Sequence, residues 1–425
     1  MPAIVVASLL GLFALSVPVV IALGLAASLG LFGFTRLPGE VMAQQVFISL
    51  DRFPLAAIPF FILAGKLMEH GGLSEKLVEL ARALLGGIQG GLAATAVLTC
   101  LFFAAISGSS VATTFAVGAV LIPALKRYGY PLGFSAALMA TSAELGVIVP
   151  PSIAMILFGV ATETSIPELF LAGVLPGLTI GATLILLVLV WCRLRGWGKR
   201  DREDRLPLGQ AARGAAWSIM MPVIILGGIY GGVMTPTEAS VVAVAYALFV
   251  GMAVEQKLTL QRLRHCFEGA VVSSTVILLI IAMASLLSYL LKREGVPDAA
   301  ATWISENFTT PASFLAAANG FLFVTGMFLE TSASVIVLGP ILTDAASRLG
   351  VDNVHFGTIM VVNLALGMIT PPFGVNLFAA AAVAGCSVGA MIRPLMVFIL
   401  AMALCLMAIT YLPVLSLLLP TWLMR

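Results

Sequence analysis

Two pairs of consecutive prolines constrain this chain more than any other feature. Pro150-Pro151 closes the run Leu145-Gly146-Val147-Ile148-Val149, and Pro371-Pro372 closes Leu366-Gly367-Met368-Ile369-Thr370, with Pro371 following Pro150 by 221 residues in a chain of 425. Both pairs lie inside long apolar stretches. A helix that meets two prolines loses backbone donors and clashes with its preceding turn, so it breaks there. At membrane depth such a break survives only where protein buries it or where it lines a cavity. The chain is 60% hydrophobic and 10% charged, with mean hydropathy +1.11. No soluble domain hides that much apolar surface, so the fold class expected is an all-α polytopic membrane protein of about ten to twelve membrane elements. Matched broken helices in two halves point to the binding site of a secondary transporter.

The first half reads as follows. Residues 2–34 are apolar, with Pro18 near the middle, and form either one kinked crossing or two short ones. They lack a basic start and a cleavage site, so we read them as membrane sequence rather than as a signal peptide. The charged stretch 35–52 reads as a loop, and 53–68 as a span. Leu73, Leu77, Leu80 and Leu84 recur at helical spacing against Ser74, Glu75, Lys76, Glu79 and Arg82, which makes 73–86 an amphipathic helix, either lying along the membrane surface or simply connecting its neighbours. Residues 91–125 are interrupted by Ser107-Gly108-Ser109-Ser110 and read as a re-entrant hairpin; a single helix with a small-residue face is the alternative. The first broken helix occupies about 131–165, and a clean span runs from Glu168 to Trp191. Residues 193–213 carry seven basic and three acidic side chains and form a cytoplasmic linker by the positive-inside rule.

The second half repeats this order. Spans lie at about 216–233, 240–254 and 270–291, with the basic stretch 256–268 again cytoplasmic. A second surface segment covers 297–308, a second hairpin 312–347 with Glu330-Thr331-Ser332 at its tip, and a second broken helix 354–386. A last span reaches about 419. The expected organisation is a first repeat at 1–192, the linker at 193–213 and a second repeat at 214–425. Counting membrane elements outward from the linker makes the two repeats inverted, with the first hairpin open to the cytoplasm and the second to the outside.

An ion crossing the bilayer exchanges its water for fixed oxygens, which broken helices supply as backbone carbonyls and hydroxyls without burying net charge. The sodium ligands expected at the first tip and break are Ser107, Gly108, Ser109, Ser110, Gly146, Val149 and Pro150. At the second they are Glu330, Thr331, Ser332, Gly367, Thr370 and Pro372. Substrate contacts are expected from Ser110, Pro151, Ser152, Ser332, Pro371 and Asn376. No basic residue stands at this site, so an anion would meet helix N-termini and hydroxyls. Serines and threonines in membrane helices more often bond to their own backbone; a cluster of polar residues opposite a double proline, twice over, weighs against that here. Glu144 stands about one turn before the first break. It is either functional or a structural group that is capped or protonated, and the same two readings apply to Glu330. Glu238, beside Pro236, fits a helix cap.

The stretches Gly108-Ser-Ser-Val-Ala-Thr113, Gly146-Val-Ile-Val-Pro-Pro-Ser152, Met234-Thr-Pro-Thr-Glu-Ala239 and Gly367-Met-Ile-Thr-Pro-Pro-Phe-Gly-Val-Asn376 together resemble the large membrane subunit of tripartite ATP-independent periplasmic (TRAP) transporters. The resemblance covers nearly the whole chain. It implies sodium-coupled uptake of an organic acid, such as a dicarboxylate, a sialic acid or another sugar acid, delivered by a periplasmic binding protein. It implies an elevator motion, with 73–86 and 297–308 as arm helices, and a location in the bacterial inner membrane. A small four-helix membrane subunit, expected as a separate chain, would complete the complex.

No cofactor beyond the coupling sodium ions is expected. The five cysteines form no CxxC and the three histidines are isolated, which argues against a zinc site. Neither HExxH nor GxxxxGK[ST] occurs, which argues against an intramembrane metalloprotease and an ATP-driven pump. A stand-alone sodium–dicarboxylate symporter is the nearest competing reading and an intramembrane enzyme the second; against a channel, paired re-entrant hairpins in inverted repeats favour alternating access.

Overall fold

The computed structural model describes residues 2–15, 17–35, 37–198 and 206–424. Its described elements are helical. Two short apolar helices open the chain, α1 (Pro2–Ala14) and α2 (Val19–Phe34), so the first apolar stretch is two pieces separated just before Pro18. Next comes α3 (Glu40–Leu50), where the sequence reading expected a loop. The charges at 40, 51 and 52 sit at or beyond its ends, and the stretch between, Val41 to Leu50, carries enough apolar residues to lie against a neighbour. Then follow a 3₁₀ turn (Phe53–Ala56), α4 (Ala57–His70) and α5 (Leu73–Leu85). The amphipathic reading of α5 holds: Leu73, Leu77 and Leu80 are buried, although Leu84 faces outward.

The first hairpin is α6 (Gly91–Ser107) and α7 (Ser110–Arg127). The first broken helix comprises α8 (Leu132–Ala143), α9 (Leu145–Ile148) and α10 (Ile153–Thr162), bent by 42° across the double proline. Then come α11 (Ile166–Arg195) and α12 (Leu208–Tyr230). These helices consume both ends of the expected 193–213 linker, and its charged centre at 199–205 lies outside the described residues.

In the second half, α13 (Pro236–Phe249) starts with a full capping box. The Thr235 hydroxyl accepts from Glu238 N, and the Glu238 carboxylate accepts from Thr235 N at 2.8 Å, as expected for that glutamate. A π-turn (Val250–Val254) ends it. Next is α14 (Leu260–Arg293), a single helix of 34 residues that fuses the basic stretch with the following span. At 1.5 Å per residue it is about 50 Å long. After it come the surface helix α15 (Val296–Asn307), the second hairpin α16 (Pro311–Phe328) with α17 (Thr331–Arg348), and the second broken helix α18 (Asn353–Met368) with α19 (Val375–Ala384). Last are α20 (Val388–Tyr411) and α21 (Val414–Leu423); Pro413 divides what the sequence reading treated as one span.

Among the described residues, eight helices are long and apolar enough to cross a membrane, or nine if the bent pair counts as one span. Packing sorts the helices into two groups. α2, α3, α4, α12 and α13 gather around α14 or one another, while the hairpins and broken helices pack among themselves with α11 and α20. The groups meet through α5, which packs on both α12 and α6, and α15, which packs on both α14 and α17, and also directly, α14 on α17 and α4 on α6.

The broken helices also exchange partners. α10, which belongs to the first break, packs chiefly on α17 of the second hairpin, and α19, from the second break, packs chiefly on α7 of the first. Single residues repeat this exchange. A Cβ on Gly118 of α7 would meet Val383 of α19 at 3.4 Å, and one on Gly339 of α17 would meet Thr162 of α10 at 3.6 Å. Gly339 follows Gly118 by 221 residues, and Val383 follows Thr162 by the same interval.

Candidate functional site

Two prolines in a row leave the carbonyls of Gly146 and Val147 without the N–H groups that a continuing helix would supply, and the same holds for Gly367 and Met368. Both Pro-Pro bonds are cis. Val147 O receives the Ser152 hydroxyl, and Ser152 Oγ in turn caps α10 by accepting from Met155 N at 3.3 Å. Gly367 O receives Thr370 N at 2.9 Å.

The first tip and first break meet directly. Gly108 has the left-handed backbone (φ +62°) that favours glycine, and a Cβ there would stand 2.9 Å from Pro151 O. Ile153 N donates to Gly108 O at 3.5 Å. A Cβ on Gly146 would stand 2.7 Å from Thr113 Oγ1 and 2.8 Å from Ser109 O. Around that contact the Thr113 hydroxyl donates to Ser109 O at 2.8 Å, with Ser107 Oγ 2.9 Å from Thr113 Oγ1. Ser109 Oγ caps α7 by accepting from Ala112 N. Ser107, Gly108, Ser109 and Gly146 thus come together as the sequence suggested, and Thr113 joins them. Pro150 and Pro151 are buried behind them.

The second tip is arranged differently. The Glu330 carboxylate caps α17, accepting from Ser332 N at 2.9 Å, Ala333 N at 3.4 Å and the Ser332 hydroxyl at 2.9 Å. Thr331 reaches the break instead, donating to Met368 Sδ at 2.9 Å. Phe328, just before the tip, has its ring 5.5 Å from that of Phe373 in the break. The Thr370 hydroxyl donates to Leu366 O at 2.8 Å. Pro371 is half-buried and Pro372 is exposed.

Asn376, expected at the substrate, is fully buried and its amide is engaged. Oδ1 accepts from the Thr114 hydroxyl at 2.5 Å, and Nδ2 donates to Ala140 O and Glu144 Oε1, each at 2.9 Å. Glu144 is fully buried too. Its second oxygen has no hydrogen bond of good geometry, and the Ser110 hydroxyl is its polar neighbour.

The sequence reading missed one cationic group. Arg52 lines a cleft of ≈ 190 Å³ with Gln45, Ser49, Ser285 and Ser288, walled by Leu157 and Val160 of α10 and by Ile336 and Pro340 of α17. No ion pair or side-chain hydrogen bond occupies its guanidinium among the described residues. Read as part of a loop, Arg52 gave no sign that α3 and α14 turn it toward the exchanged helices.

A helical membrane fold with an oxygen-lined break facing a hairpin tip belongs with transporters. The structure superposes on the YdaH transporter of Alcanivorax borkumensis with a TM-score of 0.62 at 14% identity, covering 90% of this chain and 87% of that one. For MtrF of Neisseria gonorrhoeae the TM-score is 0.61 at 13% identity, covering 96% of each chain. At these identities the likeness is one of fold. Residues 6–415 match the family described as the tripartite ATP-independent periplasmic transporter, DctM component, and the chain belongs to that family. It is 40% identical over 401 residues to the C4-dicarboxylate TRAP transporter large permease protein DctM of Pseudomonas aeruginosa, covering 94% of each. It is 41% identical over 410 residues to the isethionate TRAP transporter permease protein DctMQ of Oleidesulfovibrio alaskensis, covering 95% of this chain and 65% of that protein.

Proposed function

We propose that this permease takes up a small organic anion in symport with sodium, receiving it from a periplasmic binding protein and working with a small membrane subunit in the bacterial inner membrane. The observation that carries the reading is the contact of Gly146 with Ser109 O and Thr113 Oγ1. It sets carbonyl and hydroxyl oxygens beside a broken helix with no basic side chain among them, an environment suited to a small hard cation. Ser107, Gly108, Ser109, Ser110, Thr113, Gly146, Val149 and Pro150 form the first sodium site. The second draws on Glu330, Thr331, Ser332, Gly367, Thr370 and Pro372. Substrate lies between the breaks, near Ser110, Pro151, Ser152, Ser332 and Pro371, and Arg52 supplies the positive charge for its acid group.

The partner exchange of α10 and α19 at one fixed sequence interval supports two repeats related by a two-fold axis, and the five candidate spans described between the two hairpins, counting the bent pair as one, support inversion. The bridging of the two helix groups by α5 and α15 supports an elevator motion on those arms. Relatives carry the names of transporters for C4-dicarboxylates, isethionate and 2,3-diketo-L-gulonate, which supports an organic acid as the substrate class. The test is uptake into proteoliposomes holding the chain, its small subunit and a candidate binding protein, with and without an inward sodium gradient. Uptake that needs both supports the reading; uptake without a binding protein, or indifferent to sodium, overturns the corresponding part.

A further inference from the structure

Asn376, Thr114 and Glu144 form a buried polar triad at one crossover, where α19 lies on α7 and α8. The other crossover, α10 with the second hairpin and α18, provides an internal control. At the interval of 221 residues, Asn376 matches Met155, Thr114 matches Val335, Ala140 matches Val361, and Glu144 matches Ala365. All four counterparts are apolar and buried. This architecture therefore closes the same crossover with side chains that need no hydrogen bonds. A buried carboxyl and amide are costly in a membrane interior, and the chain keeps them on one side only.

Their neighbours suggest what the triad does. Thr114 adjoins Thr113, whose hydroxyl touches Ser107 and donates to Ser109 O in the first oxygen cluster. Glu144 precedes Gly146, which packs on the same Ser109 carbonyl. Asn376 lies in the first turn of α19, directly after the second break. There Gly374 N donates to Thr370 O at 3.2 Å, and a Cβ on Gly374 would crowd Met368 O at 2.6 Å. One amide thus ties the start of α19 to both elements that shape the first cluster.

We propose that Asn376 is a positioning residue that couples the two ion clusters through Thr114 and Glu144, so that filling one favours filling the other. The inference rests on the sodium reading above. Its test exchanges the triad for the residues of the apolar crossover, Thr114→Val with Glu144→Ala and Asn376→Met, in the chain reconstituted with its small subunit and binding protein. Initial uptake is then measured against sodium concentration, alongside thermal stability. If the triad only packs, the apolar set serves as it does in the other half, and an unchanged sodium slope overturns the proposal. If it couples, the folded variant keeps sodium-dependent uptake with a Hill slope fallen toward one, and its sodium half-saturation rises by about fivefold or more, the size of an ordinary coupling. Loss of uptake at saturating sodium in a folded variant also overturns it, by assigning the triad to packing or to substrate. Should the triple variant not reach the membrane, Thr114→Val alone decides: it is nearly isosteric and removes one hydrogen bond, and a lowered slope supports the coupling while an unchanged one overturns it. A wild-type slope of one overturns only the coupling. Wild-type uptake indifferent to sodium removes both readings.

Discussion

Gly367 and Gly326 touch backbone to backbone: a Cβ on Gly367 would fall 2.5 Å from the Cα and carbonyl carbon of Gly326. The contact joins α18 to α16 and seats the second break against the second hairpin. Backbone cannot swing aside as a side chain can, so even one methyl must push the helices apart. Gly367→Ala is expected to cost about 1–3 kcal/mol, the range for overpacking a filled core, seen as a lower melting temperature and lower yield of folded protein. Gly118→Ala, whose new methyl would meet Val383 at an ordinary 3.4 Å, is the control and is expected to be nearly neutral.

Gly146→Ala tests the first cluster. Its methyl would displace Thr113 Oγ1 or the Ser109 carbonyl, both under 3 Å away. On the sodium reading it raises the sodium concentration for half-maximal uptake by about tenfold or more, equivalent to about 1.4 kcal/mol. Ser109→Ala acts in the same direction and also removes the cap of α7, a loss of about 1 kcal/mol. Thr370→Ala does the same at the second cluster. Uptake measured across a sodium series separates these effects from a plain loss of folded protein.

Much of this arrangement was legible in the sequence, for a physical reason. Glycine and proline punctuate a helix wherever it occurs, so Gly108 and the two double prolines marked the tips and breaks without knowledge of any neighbour. The amphipathic spacing in α5 and the Thr235–Glu238 cap were legible on the same terms, because their determinants lie within one or two turns. What escaped was set across the chain. Nothing local to Ile153–Thr162 says that α10 rests on α17, and nothing local to Asn376 says that its partners are Thr114 and Glu144, more than 230 residues away. The helix α3 was missed because Glu40, Asp51 and Arg52 at its ends outweighed the apolar residues between them. With α3 went the placement of Arg52.

The helix α5, the arm of the proposed elevator, carries a local prediction. Gly72, which precedes it, has φ +85°, and a Cβ there would run into the Lys257 side chain at 2.4 Å. Lys257 also pairs with Glu75 at 2.5 Å, and the Ser218 hydroxyl donates to Leu73 O at 3.0 Å, so the turn docks the arm onto the neighbouring helices. Gly72→Ala is expected to destabilise by about 1–2 kcal/mol, the cost of a left-handed residue bearing a Cβ. Glu75→Gln removes only a half-exposed ion pair and is expected to change stability by less than about 1 kcal/mol. Melting curves of the two variants side by side distinguish backbone docking from surface charge as the determinant of the arm's position.

Arg52 carries the prediction that separates substrate from ion. Its cleft is walled by α10 and α17, which run onward from the first break and the second tip, yet the cleft shares no residue with the first oxygen cluster or with the proposed second site. On the proposed reading, a change there reaches the anion and leaves the proposed cation ligands in place. Arg52→Gln keeps much of the side chain's length and polarity but removes its charge and its planar fork, and so loses a charge-assisted, two-pronged hold on a carboxylate or sulfonate. The expected result is a rise of about tenfold or more in the substrate concentration for half-maximal uptake, from a lost charged hydrogen bond of about 1.5–3 kcal/mol, with the sodium half-saturation unmoved. Arg52→Lys keeps the charge as a point and falls between. If instead Arg52→Gln leaves the substrate dependence as it was, the cleft is a gap between packed helices, and the acid group is met by backbone N–H groups at the breaks alone.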